Sequence, residues 1–221
     1  MSSFLYPTLP STTSEPFHDR RDHDASLHVE LAETVRVTWS DADAADAASV
    51  AANHDSLNVA ADLIAGASAL GRRVLVMGNG GSACDADRLV RLLRAVRPTP
   101  IAARSLLDPA IVSALANDVG ALRMFSRQVE TYARSGDVVV VFTTSGASVN
   151  VIDAVVTARR VGASTIAFAG YNGGSLRTHT AVDVCVTVES SSVHRIQETQ
   201  GALVDALVGL LEAERDHGVR P

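Results

Sequence analysis

The chain has 221 residues, 47% hydrophobic and only 4% aromatic, and a net charge of −6. That is enough Ala, Val and Leu for one packed core, and no basic excess marks a direct nucleic-acid ligand. No apolar run is long enough to cross a bilayer and the N-terminus lacks a signal-peptide core, while two cysteines, Cys84 and Cys185, give neither a disulfide framework nor metal-ligand spacing. A reducing cytoplasm is the expected setting, with both cysteines as small buried residues.

Residues 1–26 are rich in Ser, Thr, Pro and Asp and read as a flexible arm. The domain proper is expected over 27–221, beginning with a short helix at 27–37. A long Ala-rich helix is expected over 41–70, with Ser40 or Asp41 as its cap and Gly71 as its stop. The pattern then alternates. Strands are expected at 74–77, 100–103, 137–142, 164–169 and 182–188. Helices are expected at 85–96, 108–116, 122–133 and 149–161, with a long closing helix at 193–214. The strands are continuous Val/Ile runs rather than alternating ones, as burial on both faces requires. Strands alternating with helices predict βαβ units and a parallel sheet covered on both sides.

Two loops at strand ends carry the chemistry. The first is Gly78-Asn79-Gly80-Gly81-Ser82; the second is Thr143-Thr144-Ser145-Gly146-Ala147-Ser148, directly before a helix. In open parallel sheets ligands bind beyond the carboxyl ends of the strands. Hydroxyls and unshielded amides at a helix N-terminus make an anion site there. There is no Walker lysine and no G-x-G-x-x-G run. One such loop alone is equally well a turn with a Ser or Thr cap; two at successive strand ends point to a phosphate.

The segments "GNGGSACDA", "ALANDVG", "GDVVVVFTTSGASVNVIDAV", "GYNGG" and "RIQETQGALVDAL" follow in an order and spacing that resemble the sugar isomerase (SIS) domain, and within it the phosphoheptose isomerases, over residues 45–215. The resemblance implies an α/β fold: a single SIS domain with a five-stranded parallel sheet sandwiched between helices and an N-terminal helical extension. It also implies a homotetramer, or a dimer, with sites shared between subunits, and a sugar phosphate as ligand. Carried over, Thr143, Thr144, Ser145 and Ser148 hold the phosphate. Asn79, Gly80 and Ser82 line the sugar, Asp118 sits nearby, and Gln197 contacts substrate and metal.

The chain departs from the family at the positions that do chemistry. Where the family helix after the glycine loop has a His and then a Glu, this sequence has Arg88 and Leu92. Where the closing helix has a His, it has Asp205. Isomerisation through an enediol needs a base within reach and a group that polarises the carbonyl. Leu92 does neither, and Arg88 opposes a divalent cation. Gln197 and Asp205 alone are a poor donor set for zinc, so no metal and no cofactor are expected. Arg88 needs an anionic partner, either Asp205 or a second anion on the ligand. His194, Asp118 and Glu198 are the titratable residues available as replacement catalysts, with Asp85 equally readable as a first-turn carboxylate. Arg91 and Arg94 read as a solvated face, with Asp87 and Arg91 as a helical pair.

The sequence thus leaves three readings. The first is a phosphosugar-binding protein whose zinc and proton-transfer positions are substituted, including an inactive subunit paired with an active paralogue. The second is an isomerase of altered, metal-independent mechanism. The third is a non-catalytic partner, like the relative of the phosphoheptose isomerases that associates with the replication initiator.

Overall fold

The computed structural model describes Glu33 and residues 43–218. The arm at 1–26, the helix at 27–37 and the cap at Ser40 or Asp41 lie outside the described residues. Residues 43–52 are helical, and after Asn53 the helix resumes as α1 (His54–Ala69). The order continues β1 (Val74–Gly78), α2 (Ser82–Ala95), β2 (Ala103–Ser105), α3 (Pro109–Asp118), α4 (Met124–Tyr132), β3 (Val138–Thr143), α5 (Val149–Arg160), β4 (Ser164–Ala169), a 3-10 segment (Tyr171–Leu176), β5 (Val184–Thr187) and α6 (Val193–Gly218).

The five strands form one parallel sheet in the order β2-β1-β3-β4-β5. From β1 the chain moves outward to β2, then returns to the other side of β1 for β3. The order therefore reverses between β1 and β3, and their carboxyl ends flank the crevice where such sheets bind ligands. The two strands end in step, with Gly78 paired to Phe142.

Burial on both faces explains the uninterrupted apolar strands. On one side, Val74, Val76, Val138, Val140, Phe142, Ile166 and Phe168 pack against α1, α2 and α6 through Leu57, Ile64, Leu89, Leu93, Leu203 and Leu207. On the other, Leu75, Met77, Val139, Val141 and Ala167 meet Phe125 and Val129 of α4 and Val151 and Val155 of α5. Phe142 and Phe168 stack at 4.7 Å between ring centroids, one step before the loops that follow β3 and β4.

Several boundaries differ from the sequence expectation. The break at Asn53 interrupts the expected 41–70 helix because Asn53 serves a distant strand. Its Nδ2 donates to Thr187 O (2.8 Å) and its Oδ1 accepts from Thr187 N (2.8 Å), completing the edge of β5. Strand β2 lies at Ala103–Ser105 rather than 100–103. Pro100 has no N–H to give the ladder, and Ile101 N turns back to Leu93 O (2.9 Å). Helix α2 starts at Ser82, three residues early, because Ser82, Ala83 and Cys84 donate to the carbonyls of Asn79, Gly80 and Gly81. Asp108 is the cap of α3, accepting from Ala110 N (2.9 Å) and Ile111 N (3.2 Å). Cys185 is half-buried, and burial pushes its thiol up to about 11. Cys84 is exposed, because the inward row of α2 runs through Ser82, Asp85, Leu89 and Leu93.

No helix among the described residues is long and apolar enough to cross a membrane.

Candidate functional site

The loop after β3 is built from the inside. Thr143, the last residue of β3, is buried; its Oγ1 accepts from Gly146 N (3.2 Å) and fixes the turn. Ser145 Oγ accepts from Ala147 N (3.2 Å). Gly146 adopts φ +63° and lies so close to the Gly173 carbonyl that a β-carbon would collide with it. Leu176 N donates to Gly146 O (3.2 Å), so the "GYNGG" segment braces this loop from outside. That segment is itself strained: Tyr171, Asn172, Gly173 and Gly174 all have positive φ. Ser148 precedes α5 without capping it; its hydroxyl accepts from no helix amide. The hydroxyls of Thr144, Ser145 and Ser148 and the first amides of α5 are thus gathered at one strand end, with the helix dipole behind them.

The loop after β1 faces it. Asn79 and Asn150 exchange a reciprocal pair of amide hydrogen bonds (2.9 and 3.0 Å), tying the glycine loop to the first turn of α5. Gly80 is exposed and Ser82 buried at the start of α2. Gln197 of α6 lies against Gly81 with no space for a β-carbon between them. The structure therefore brings Asn79, Gly80, Ser82, Gln197, Thr143, Thr144, Ser145 and Ser148 to the loops on the two sides of the switch point.

Arg88, one turn along from Asp85 on α2, reaches Asp205 on α6. A single nitrogen, Nη2, donates to both carboxylate oxygens at 2.6 and 2.5 Å, while Nε is buried with no partner. The contact is one nitrogen on two oxygens, not a two-pronged fork. Asp205 holds the guanidinium pKa above its ordinary value. The side chains are 42% and 53% exposed, so the pair sits at the rim rather than in a dry pocket. Leu92 packs half-buried against the apolar cluster of α1, α2 and α6.

Asp85 is inward-facing and 8% exposed, and its Oδ2 has no partner. Burial pushes its carboxyl up to about 6, with the nearby Arg88 charge pulling the other way. The other titratable candidates are less central. Asp118 ends α3, exposed, accepting from its neighbour Asn117 (3.0 Å), and among the described residues no bond joins it to the two loops. His194 is exposed in the first turn of α6. Glu198, exposed, pairs with Arg195 at 3.1 Å. Among the described residues Asp87 and Arg91 form no ion pair. Arg94 is exposed, as a solvated face requires, and its Nε and Nη2 donate to Ala103 O (2.9 and 2.7 Å). Among the described residues no three His, Cys, Asp or Glu side chains gather as a metal cluster.

Two residues of the site went unnoticed in the sequence. Asn150 is the partner of Asn79. Gln200, fully buried, donates from Nε2 to Thr143 O (3.1 Å), anchoring the start of the second loop to α6. Its place three residues after Gln197, on the same face of the closing helix, is the signal that marks it.

The comparisons agree with this geometry. The model of the SIS domain matches residues 40–170. The phosphoheptose isomerase of Geotalea daltonii is 42% identical over 156 residues, covering 68% of this chain and 80% of the relative. The structure of phosphoheptose isomerase GmhA from Neisseria gonorrhoeae superimposes with a TM-score of 0.75 at 30% identity, covering 83% of this chain and 99% of that one. That of a phosphoheptose isomerase from Francisella tularensis gives 0.75 at 26% identity, covering 83% and 98%. The chain belongs to the SIS-domain family, with phosphoheptose isomerases as its homologues at about 40% identity.

Proposed function

We propose that this protein binds a sugar phosphate in the crevice between the carboxyl ends of β1 and β3, and that it does not carry out the metal-assisted isomerisation of its relatives. The phosphate is held by Thr143, Thr144, Ser145, Ser148 and the first amides of α5; the sugar lies along Asn79, Ser82 and Gln197. The observation that carries this reading is the uncapped start of α5. Ser148 stands at the cap position, but its side chain caps no amide, so its hydroxyl and the amides of Val149 and Asn150 are left for an anion, while Val151 N and Ile152 N donate to the Ser148 carbonyl.

The donor set does not fit zinc. Of the positions that the resemblance assigns to metal ligands, Arg88 is a cation already bound to Asp205, Leu92 has no donor atom, and Gln197 remains. Zinc takes about four N, S or O donors, and a guanidinium in that space repels it. A second reading, a metal-independent isomerase, is favoured by one observation: Asp85 is buried, has an unpartnered oxygen and a carboxyl at about 6, in the range of a working base.

We also propose that the protein assembles as a homotetramer or dimer in a reducing cytoplasmic setting. Val149, in the first turn of α5 beside the phosphate loop, is 62% exposed, and Leu122 is 61% exposed. Apolar side chains so placed suit a neighbouring subunit that closes the site. Light scattering that gives a monomer at micromolar concentration counts against the shared site.

The binding reading is tested by calorimetric titration of sedoheptulose 7-phosphate into the wild type and into Ser145→Ala/Ser148→Ala. The expected loss is about 1–3 kcal/mol, the scale of hydrogen bonds to a charged group. Unchanged affinity would reduce the loop to turn geometry.

A further inference from the structure

A second cavity, of about 620 Å3, opens at the amino-terminal ends of β1 and β2, where the sheet edge meets the last turn of α2. Arg73, Arg94 and Arg104 line it, with Gly71 and residues 100–103 as its remaining wall. Strand β1 separates it from the glycine loop by five residues, roughly 16 Å at the usual strand rise.

Its charge is unusual for this molecule. Residues 88–107 contain five arginines and no Asp or Glu, in a chain whose net charge is −6. Among the described residues, Arg94 and Arg104 have no carboxylate partner. Arg94 is held by the Ala103 carbonyl (2.9 and 2.7 Å), which orients the guanidinium without neutralising it and leaves Nη1 uncommitted. Arg104 lies 3.8 Å over the Tyr132 ring, which likewise fixes its plane but not its charge. Arg73 has one carboxylate in range, Asp137 at 3.9 Å, and that carboxylate already accepts from the amides of Arg73 (3.1 Å) and Arg134 (2.9 Å). Three guanidinium groups, two of them oriented, thus border a space of small-ligand size with a net positive charge. Guanidinium is the side chain whose planar donors match phosphate oxygens in pairs.

We propose that this cavity binds the phosphate chain of a small molecule carrying at least two negative charges, through Arg73, Arg94 and Arg104. It is separate from the switch-point crevice and does not depend on the reading of that crevice.

The test is calorimetric titration of tripolyphosphate into the full-length protein, with orthophosphate and ATP as parallel arms. One tripolyphosphate should bind per chain, more tightly than orthophosphate. Arg73→Gln/Arg94→Gln should weaken it by about tenfold or more, while Ser145→Ala/Ser148→Ala should leave it unchanged. ATP binding tighter than tripolyphosphate identifies a nucleotide as the source; equal binding shows that the phosphate chain alone is read. No saturable binding, or binding unaffected by Arg73→Gln/Arg94→Gln, overturns the proposal. Should the arginine variant fail to fold, hydrogen exchange on the wild type decides. Tripolyphosphate should slow exchange in residues 97–106, and protection confined to 143–150 overturns the assignment.

Discussion

The two loops at the switch point have the same construction and opposite surroundings. After β3, the Ser148 hydroxyl and the first amides of α5 are left open, while buried Thr143 Oγ1 and Gln200 Nε2 and the half-buried Asn79–Asn150 pair hold the loop in shape. After β1, the helix that follows carries charges that answer one another, with Arg88 on Asp205 and Asp85 buried nearby. The contrast separates two demands that a sugar isomerase makes at once. Holding a phosphate needs amides, hydroxyls and a helix dipole, all of which survive on the β3 side. Moving a proton and polarising a carbonyl need a free base and an electrophile, and under the proposed reading the Arg88–Asp205 pair and Leu92 on the β1 side supply neither.

The sharpest way to break the comparison is to remove the floor both loops stand on. Phe142→Ala deletes a fully buried ring that stacks on Phe168 beneath the second loop. A loss of about 3–5 kcal/mol is expected, read as a fall in the urea midpoint. A loss under about 1 kcal/mol would mean that the loops do not depend on this layer.

Asp85 tests the β1 side through pH. Its folded carboxyl titrates at about 6, above the ordinary value of 3.8, so the folded state binds the proton more tightly than the unfolded one. Its contribution is therefore favourable at low pH and is lost as pH rises from about 4 to about 6, a cost near neutrality of about 2–3 kcal/mol. Asp85→Asn removes that cost. The variant should gain on the wild type steadily between pH 4 and 6.5 in urea melts, and parallel curves would mean that the carboxyl is solvated.

Gln200→Leu sharpens the β3 side. Removing the donor to Thr143 O should cost about 1–2 kcal/mol in stability, and should weaken sugar-phosphate binding although Gln200 is fully buried. Affinity unchanged beside reduced stability would make Gln200 a packing residue only. The smallest effect is expected at the Arg88–Asp205 pair. Because both side chains are about half exposed, Asp205→Asn should change stability by about 0–1 kcal/mol, with sugar-phosphate affinity retained. A large loss of affinity would place Arg88 in contact with the ligand.

Much of this was legible in the sequence because its cause is local or compositional. Two-sided burial forces continuous apolar runs, so β1, β3 and β4 stand out. Glycine and hydroxyl residues at their ends mark the switch point. What was hidden depends on partners far along the chain. Asn53 breaks a helix for the sake of Thr187, 134 residues away. Strand β2 shifts because Pro100 and Ile101 look apolar enough for a strand but give the ladder nothing. Arg94 is the surface cation the sequence suggests, but its carbonyl partner Ala103 lies on the next strand, and the burial of Asp85 follows from the inward row of α2, not from its residue type.

The central claim, a phosphate site kept and a proton-transfer site lost, is tested most directly in one NMR sample: sedoheptulose 7-phosphate with the protein in deuterated water. The account predicts saturation transfer from protein to ligand, reporting binding, with no deuterium appearing at the carbons beside the carbonyl. Deuterium incorporation that is abolished by Asp85→Asn would contradict it and make this chain an isomerase that has moved its base; absence of saturation transfer would remove the phosphate site itself.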